Sequence, residues 1–144
     1  MIKPHGADVL MPLYVADSSA RESLFTEAND LISITLSSAA AANAVMLGAG
    51  YFTPLSGYMN LADAVSVAET LHTADGLFWP VPIVNLVDSA EGISVGQRLA
   101  LKDPNVEGQP ILAIMQVDAI ETVSDQQMDA MVEQVFGTLD SEHP

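Results

Sequence analysis

Between Ser37 and Asn60 the chain reads SSAAAANAVMLGAGYFTPLSGYMN, and this stretch limits the fold more than any other. Alanine has the best helix propensity and a serine can cap the start, so Ser37 to Leu47 is predicted helical. Gly48 or Gly50 ends that helix, because glycine tolerates the left-handed cap geometry. Pro54 then fixes one dihedral of a Pro-Leu-Ser-Gly turn, with Gly57 free to take a positive φ. Asn60 and Asp63 have N-cap and N3 spacing for a further helix with Leu61, Ala64, Val65, Ala68 and Leu71 as its apolar stripe. The glycines therefore follow a helix. A phosphate cradle needs them before one, where free amides and the positive dipole end meet the anion. Neither GxGxxG nor GxxxxGK[ST] occurs in the chain.

On either side the pattern changes. Ser19 and Glu22 have capping-box spacing ahead of Leu24, Ala28 and Leu31, which predicts a first helix, and Ile32 to Leu36 alternates as a strand. Thr73 to Gly76 breaks the chain. Further on, 82–88 reads as a strand, and so does Arg98 to Lys102, with Leu99 and Leu101 on one face. A turn-rich segment, Asp103 to Gly108, joins the latter to Gln109–Val117 as a long-loop hairpin. Ser124 and Gln127 form a second capping box before Met128, Met131, Val132, Val135 and Phe136 at helical spacing. Helices gather early and strands late, an α+β arrangement within one domain, 1–144.

Composition removes several classes of function. Nineteen acids against four bases give a net charge of -15, and Lys3, Arg21, Arg98 and Lys102 never cluster, which argues against nucleic acid and anionic membranes as partners. The absence of cysteine excludes disulfides, thiolate metal sites and cysteine nucleophiles. No run of about 20 apolar residues is long enough to span a bilayer, and Val9 to Ala16 is a poor signal peptide, so a cytoplasmic protein is expected.

No catalytic constellation emerges. His5, His72 and His143 show no metal-ligand spacing; His72 is expected at a helix end, where imidazole meets the dipole, and the other two lie near solvated termini. Asp17, Asp63, Asp125 and Glu22 are expected at helix starts, Met128 and Met131 have core periodicity, and no GxSxG elbow exists. Phe78-Trp79-Pro80-Val81-Pro82 reads equally as an aromatic or polyproline-type patch for a partner and as the lead-in to a strand.

Four stretches carry a resemblance: Lys3-Pro4-His5-Gly6, the Ser37–Met46 run into GAGYFTPLSGYMN, Asp75 to Ile83, and Arg98 to Gly108. Together they resemble the amino-terminal part of the ATP sulfurylases, or sulfate adenylyltransferases, of bacterial sulfur metabolism. The resemblance implies a PUA-like domain, a partly closed β-barrel decorated with helices. It also implies a larger enzyme joining sulfate to the α-phosphate of ATP with magnesium, releasing pyrophosphate and forming adenylyl sulfate. The family's Gln-x-Arg-Asn, His-x-x-His and Gly-Arg-Asp motifs belong to its following domain and are missing here, so this chain is expected to hold no cofactor and to be inactive alone. The partner expected is that catalytic domain, with Tyr51, Phe52, Tyr58, Phe78 and Trp79 as candidate interface residues and self-association as a further expectation. The alternative is a free-standing PUA-like module for RNA or protein, which the charge opposes in the RNA case.

Overall fold

The computed structural model describes residues 2–142, so His143 lies outside the described residues. Its elements are α1 (Ser18–Asp30), β1 (Ser33–Thr35), α2 (Ser38–Gly48), α3 (Leu61–Thr70), β2 (Arg98–Lys102), β3 (Ile111–Gln116) and α4 (Asp125–Phe136). They fall into two compact units. One holds the chain up to Tyr58 together with Asn85–Ile120; the other holds Met59–Val84 and the chain from Glu121 onward.

The first unit is a small sheet with helices against it. The strand order is β1-β2-β3, with β1 parallel to β2 and β3 antiparallel to it, so the expected hairpin is present with Leu99 opposite Met115 and Leu101 opposite Ala113. The sheet stays open at both edges, since these three strands are all that the ladder contains among the described residues. Alternation alone would bury only Leu99 and Leu101. Ala100, facing the other way, is equally buried, because β2 has cover on both faces of the sheet. Leu36, Ala40, Ala41, Leu99, Leu101 and Val117 form the core cluster, and Ala44, Tyr58 and Met115 pack against it. The small alanines of α2 let the helix approach the sheet closely.

The cap of α2 is the expected one, and that of α1 is not. Ser37 caps α2 by accepting from Ala40 N–H. In α1 the cap is Asp17, which accepts from Ala20 N–H at 2.7 Å, so the helix starts before the Ser19–Glu22 spacing and Glu22 sits beyond the first turn. A carboxylate two positions upstream satisfied the free amides first. Glu27 on the same helix pairs with Arg98 on β2, fixing α1 to the sheet.

The second unit is helical. Asn60 caps α3 by accepting from Asp63 N–H at 2.8 Å, and α4 opens with the full Ser124–Gln127 capping box. α3 and α4 pack together, with Val67, Ala64 and Ala68 of α3 buried and Met128, Met131, Val132 and Val135 of α4 half-buried. α3 ends on Leu71 in the left-handed region, φ 59°, although a side chain there costs about 1–2 kcal/mol. Two backbone bonds hold it, Leu71 N–H to Val67 carbonyl at 2.9 Å and Trp79 N–H to Leu71 carbonyl at 2.7 Å.

The strand expected over 82–88 is absent. Pro80 and Pro82 supply no N–H, and Ile83 turns its backbone to Met59: its carbonyl accepts from Met59 N–H and its own N–H meets the Met59 sulfur. A buried Ile83 with no partner strand leaves the segment irregular.

Candidate interaction surface

The GAGYFTPLSGYMN segment resolves into a closed helix end and a strapped turn. Gly50 N–H donates to Leu47 carbonyl and Tyr51 N–H to Met46 carbonyl, both at 3.0 Å, which is the Schellman arrangement with Gly50, φ 80°, as its left-handed residue. Gly50 is thus the stop, and Gly48 is the last residue of α2. Gly57, expected to use a positive φ, does not. The peptide before Pro54 is cis.

The amino-terminal segment lies over this turn. Leu13 and Tyr14 N–H both donate to Gly48 carbonyl, at 3.0 and 3.1 Å. Met11 N–H donates to the Thr53 hydroxyl at 2.9 Å, and that hydroxyl donates to Gly50 carbonyl at 2.7 Å. Thr53 is buried, so it acts as an internal relay between arm and turn. A Cβ built on Gly50 would meet Pro12 N at 3.0 Å, so glycine is needed for the approach as well as for the dihedral.

Strapping the backbone leaves apolar side chains outside. Leu10, Leu13 and Tyr14 on the arm, Val45 on the last turns of α2, and Tyr51, 74 % exposed, are all in solvent. Such exposed apolar side chains around one helix end make a candidate interaction surface.

The five candidate interface residues do not share one fate. Tyr51 is exposed and Phe52 half-buried beside it. Tyr58 points inward: its hydroxyl donates to Ala40 carbonyl at 2.7 Å and its ring packs on the core cluster, where burial pushes its pKa up from 10.0 to about 12. In the other unit, Phe78 is exposed with its ring edge-on to His72, centroids 5.7 Å apart, while Trp79 is only 6 % exposed. Tyr58 and Trp79 therefore serve the interiors of their own units, and the aromatic content of the motif misled because sequence gives no direction to a side chain. The residues that sequence reasoning missed are Leu10, Leu13, Tyr14 and Val45. A short apolar run broken by Pro12, too poor for a signal peptide, was the available signal.

His72 lies just past the helix end, and its Nδ1 donates to Thr70 carbonyl at 2.7 Å. Asp63 accepts from Ala74 N–H, and Asp75 is held low in pKa chiefly by the Thr73 hydroxyl. Among the described residues, no group of three or more histidines and acids could hold a metal ion, and no helix is long and apolar enough to cross a membrane.

An open three-stranded sheet backed by helices, with a helical unit beside it in the chain, defines an α+β protein. The chain belongs to the PUA-like domain family, whose profile matches residues 2–144. Its relatives include the sulfate adenylyltransferases of Alcanivorax borkumensis, 58% identical over 144 residues, and of Allochromatium vinosum, 56% identical over 144. Each match takes in 100% of this chain and 36% of the relative, so the chain spans about a third of the length of these proteins. The resemblance to the amino-terminal part of ATP sulfurylase is thereby borne out. Among solved structures, a hexameric APS kinase from Thiobacillus denitrificans matches with a TM-score of 0.66 and 34% identity, over 85% of this chain and 24% of that one.

Proposed function

We propose that this chain is the non-catalytic amino-terminal domain of a cytoplasmic sulfate adenylyltransferase and acts as a scaffold and packing partner for its nucleotidyl-transferring domain. The observation that carries the reading is the unbroken match of the whole chain to one third of such enzymes at 58% and 56% identity. The exposed apolar side chains around Gly50, Tyr51 among them, support a packing role.

In the full enzyme, ATP and magnesium supply the adenylyl group and its charge neutralisation. The residues of this chain do not fit either. Two of its four bases are engaged with acids, Lys3 with Asp8 and Arg98 with Glu27, and its net charge of -15 repels phosphate and sulfate. Its own contribution is to hold a rigid apolar platform, strapped through Thr53 and Gly50, against a neighbouring domain. The hexameric state of the Thiobacillus denitrificans APS kinase supports a homo-oligomeric enzyme.

The test is magnesium-dependent exchange of pyrophosphate into ATP. The purified 144-residue chain is expected to show none. The Alcanivorax borkumensis enzyme with its matching third replaced by this chain is expected to retain exchange. Exchange by the lone chain, or none by the chimaera, overturns the reading.

A further inference from the structure

The sheet of the first unit ends in a bare edge. β3 has β2 on one side and no strand on the other among the described residues. In an antiparallel ladder successive residues turn their backbone groups alternately toward the partner strand and away from it. Val117 N–H donates to Gln97 carbonyl and Val117 carbonyl accepts from Gly96 N–H, both at 2.8 Å, so Val117, Met115 and Ala113 face β2. Gln116 and Ile114 therefore face outward. Ala100 N–H, opposite Ile114, is already given to Ile32 carbonyl at 2.9 Å on the β1 side, which agrees with that direction. Among the described residues, the N–H and C=O of Ile114 and Gln116 take part in no turn or loop hydrogen bond.

Edge strands are ordinarily blunted by charge, by proline or by shortness. β1, the opposite edge, has only 3 residues, and its Ser33 and Thr35 are exposed and polar. β3 is different. Ile111 to Val117, ILAIMQV, holds no charged residue and no proline, and the register shift that skips Leu112 leaves Ala113 to Val117 regular. With a net charge of -15 a second copy is repelled over most of the surface, so an uncharged strand with unpaired backbone is where it can approach. Free N–H and C=O groups along an edge are satisfied in register by another extended backbone, and β3 is itself one. We propose that the outer edge of β3 pairs antiparallel with β3 of a second copy, across a two-fold axis at Met115. Ile114 then lies opposite Gln116 of the second copy and Ala113 opposite Val117, with about four main-chain hydrogen bonds gained. A contact this small gives a weak dimer, dissociating at about 100 µM. The pairing names a surface for the homo-oligomeric state proposed above and rests on that part of the reading alone, so exchange kept or lost in the chimaera does not bear on it.

The purified 144-residue chain carries the test. Sedimentation equilibrium should show mostly monomer at about 20 µM and mostly dimer at about 1 mM. Between these concentrations, amide hydrogen exchange followed by NMR should slow about fourfold at Ile114 and Gln116, whereas Ala113, Met115 and Val117, already bonded to β2, should change little. Gln116→Pro deletes an outward N–H at an exposed position and breaks no bond to β2, so the variant should fold as the native chain does and self-associate about tenfold more weakly. Ile114→Pro should weaken association in the same way. Monomer at the higher concentration, slowing at other amides without Ile114 and Gln116, or a dimer untouched by Gln116→Pro overturns the proposal. A dimer lost on Tyr51→Ser but kept by Gln116→Pro overturns it too, by placing the contact at the apolar side chains around Gly50.

Discussion

Replacing Tyr58 with phenylalanine removes one oxygen from a ring that packs against the core cluster, and the consequence depends on pH. The hydroxyl donates to Ala40 carbonyl at 2.7 Å. Ala40 lies in the first turn of α2, so its carbonyl keeps a helical donor when the hydroxyl is gone. Tyr58→Phe should therefore cost only about 0.5–1 kcal/mol at neutral pH, the lower part of the range for a hydrogen bond. The ionised phenolate is disfavoured by desolvation, which raises the pKa from 10.0 to about 12. Because the folded value lies above the unfolded one, the stabilising contribution is complete below pH 10.0 and is lost as pH rises through about 12. A shift of that size corresponds to about 2.7 kcal/mol, which solvent reaching the half-buried ring reduces to about 1 kcal/mol. Urea unfolding across this pH range should show native protein ahead of Tyr58→Phe at neutral pH and level with or behind it at the alkaline end. The difference in phenolate absorbance between the two proteins isolates Tyr58 and should have its midpoint near 12. A midpoint near 10.0, or a Tyr58→Phe variant as stable as the native protein at neutral pH, would refute the inward placement of this ring.

Gly50→Ala should destabilise by about 1–3 kcal/mol in chemical denaturation, through a positive φ and contact with the Pro12 backbone, whereas Gly57→Ala, with open space at its Cβ, should change stability by about 0.5 kcal/mol or less. Thr53→Val leaves Met11 N–H without its acceptor, for a cost of about 1–2 kcal/mol, and limited proteolysis should then cut the arm near Leu10 faster than in the native chain. Leu71→Gly relieves the left-handed cap of α3 while removing a largely exposed side chain, so the thermal midpoint should stay level or rise, by up to about 1 kcal/mol of stability.

Local chemistry made much of this protein legible in its sequence. Ser37, Asn60 and Ser124 cap the helices assigned to them, because a short polar side chain reaches only the amides two or three residues ahead. The hairpin of β2 and β3 was equally local, being set by turn formers between two apolar runs. Family likeness followed from the same ordered motifs, with no help from the fold. What needed the tertiary structure was direction and partnership. Tyr51 and Tyr58 belong to one motif, yet one ring faces solvent and the other the core, since only packing decides which side of a turn is inside. The 82–88 segment has strand composition and forms no ladder, because a strand exists only when another offers its edge. Likewise Ala100 is buried on the face opposite Leu99 and Leu101, a fact fixed by what packs on the two faces of the sheet, where the contacting helices α1 and α2 lie far from β2 in sequence.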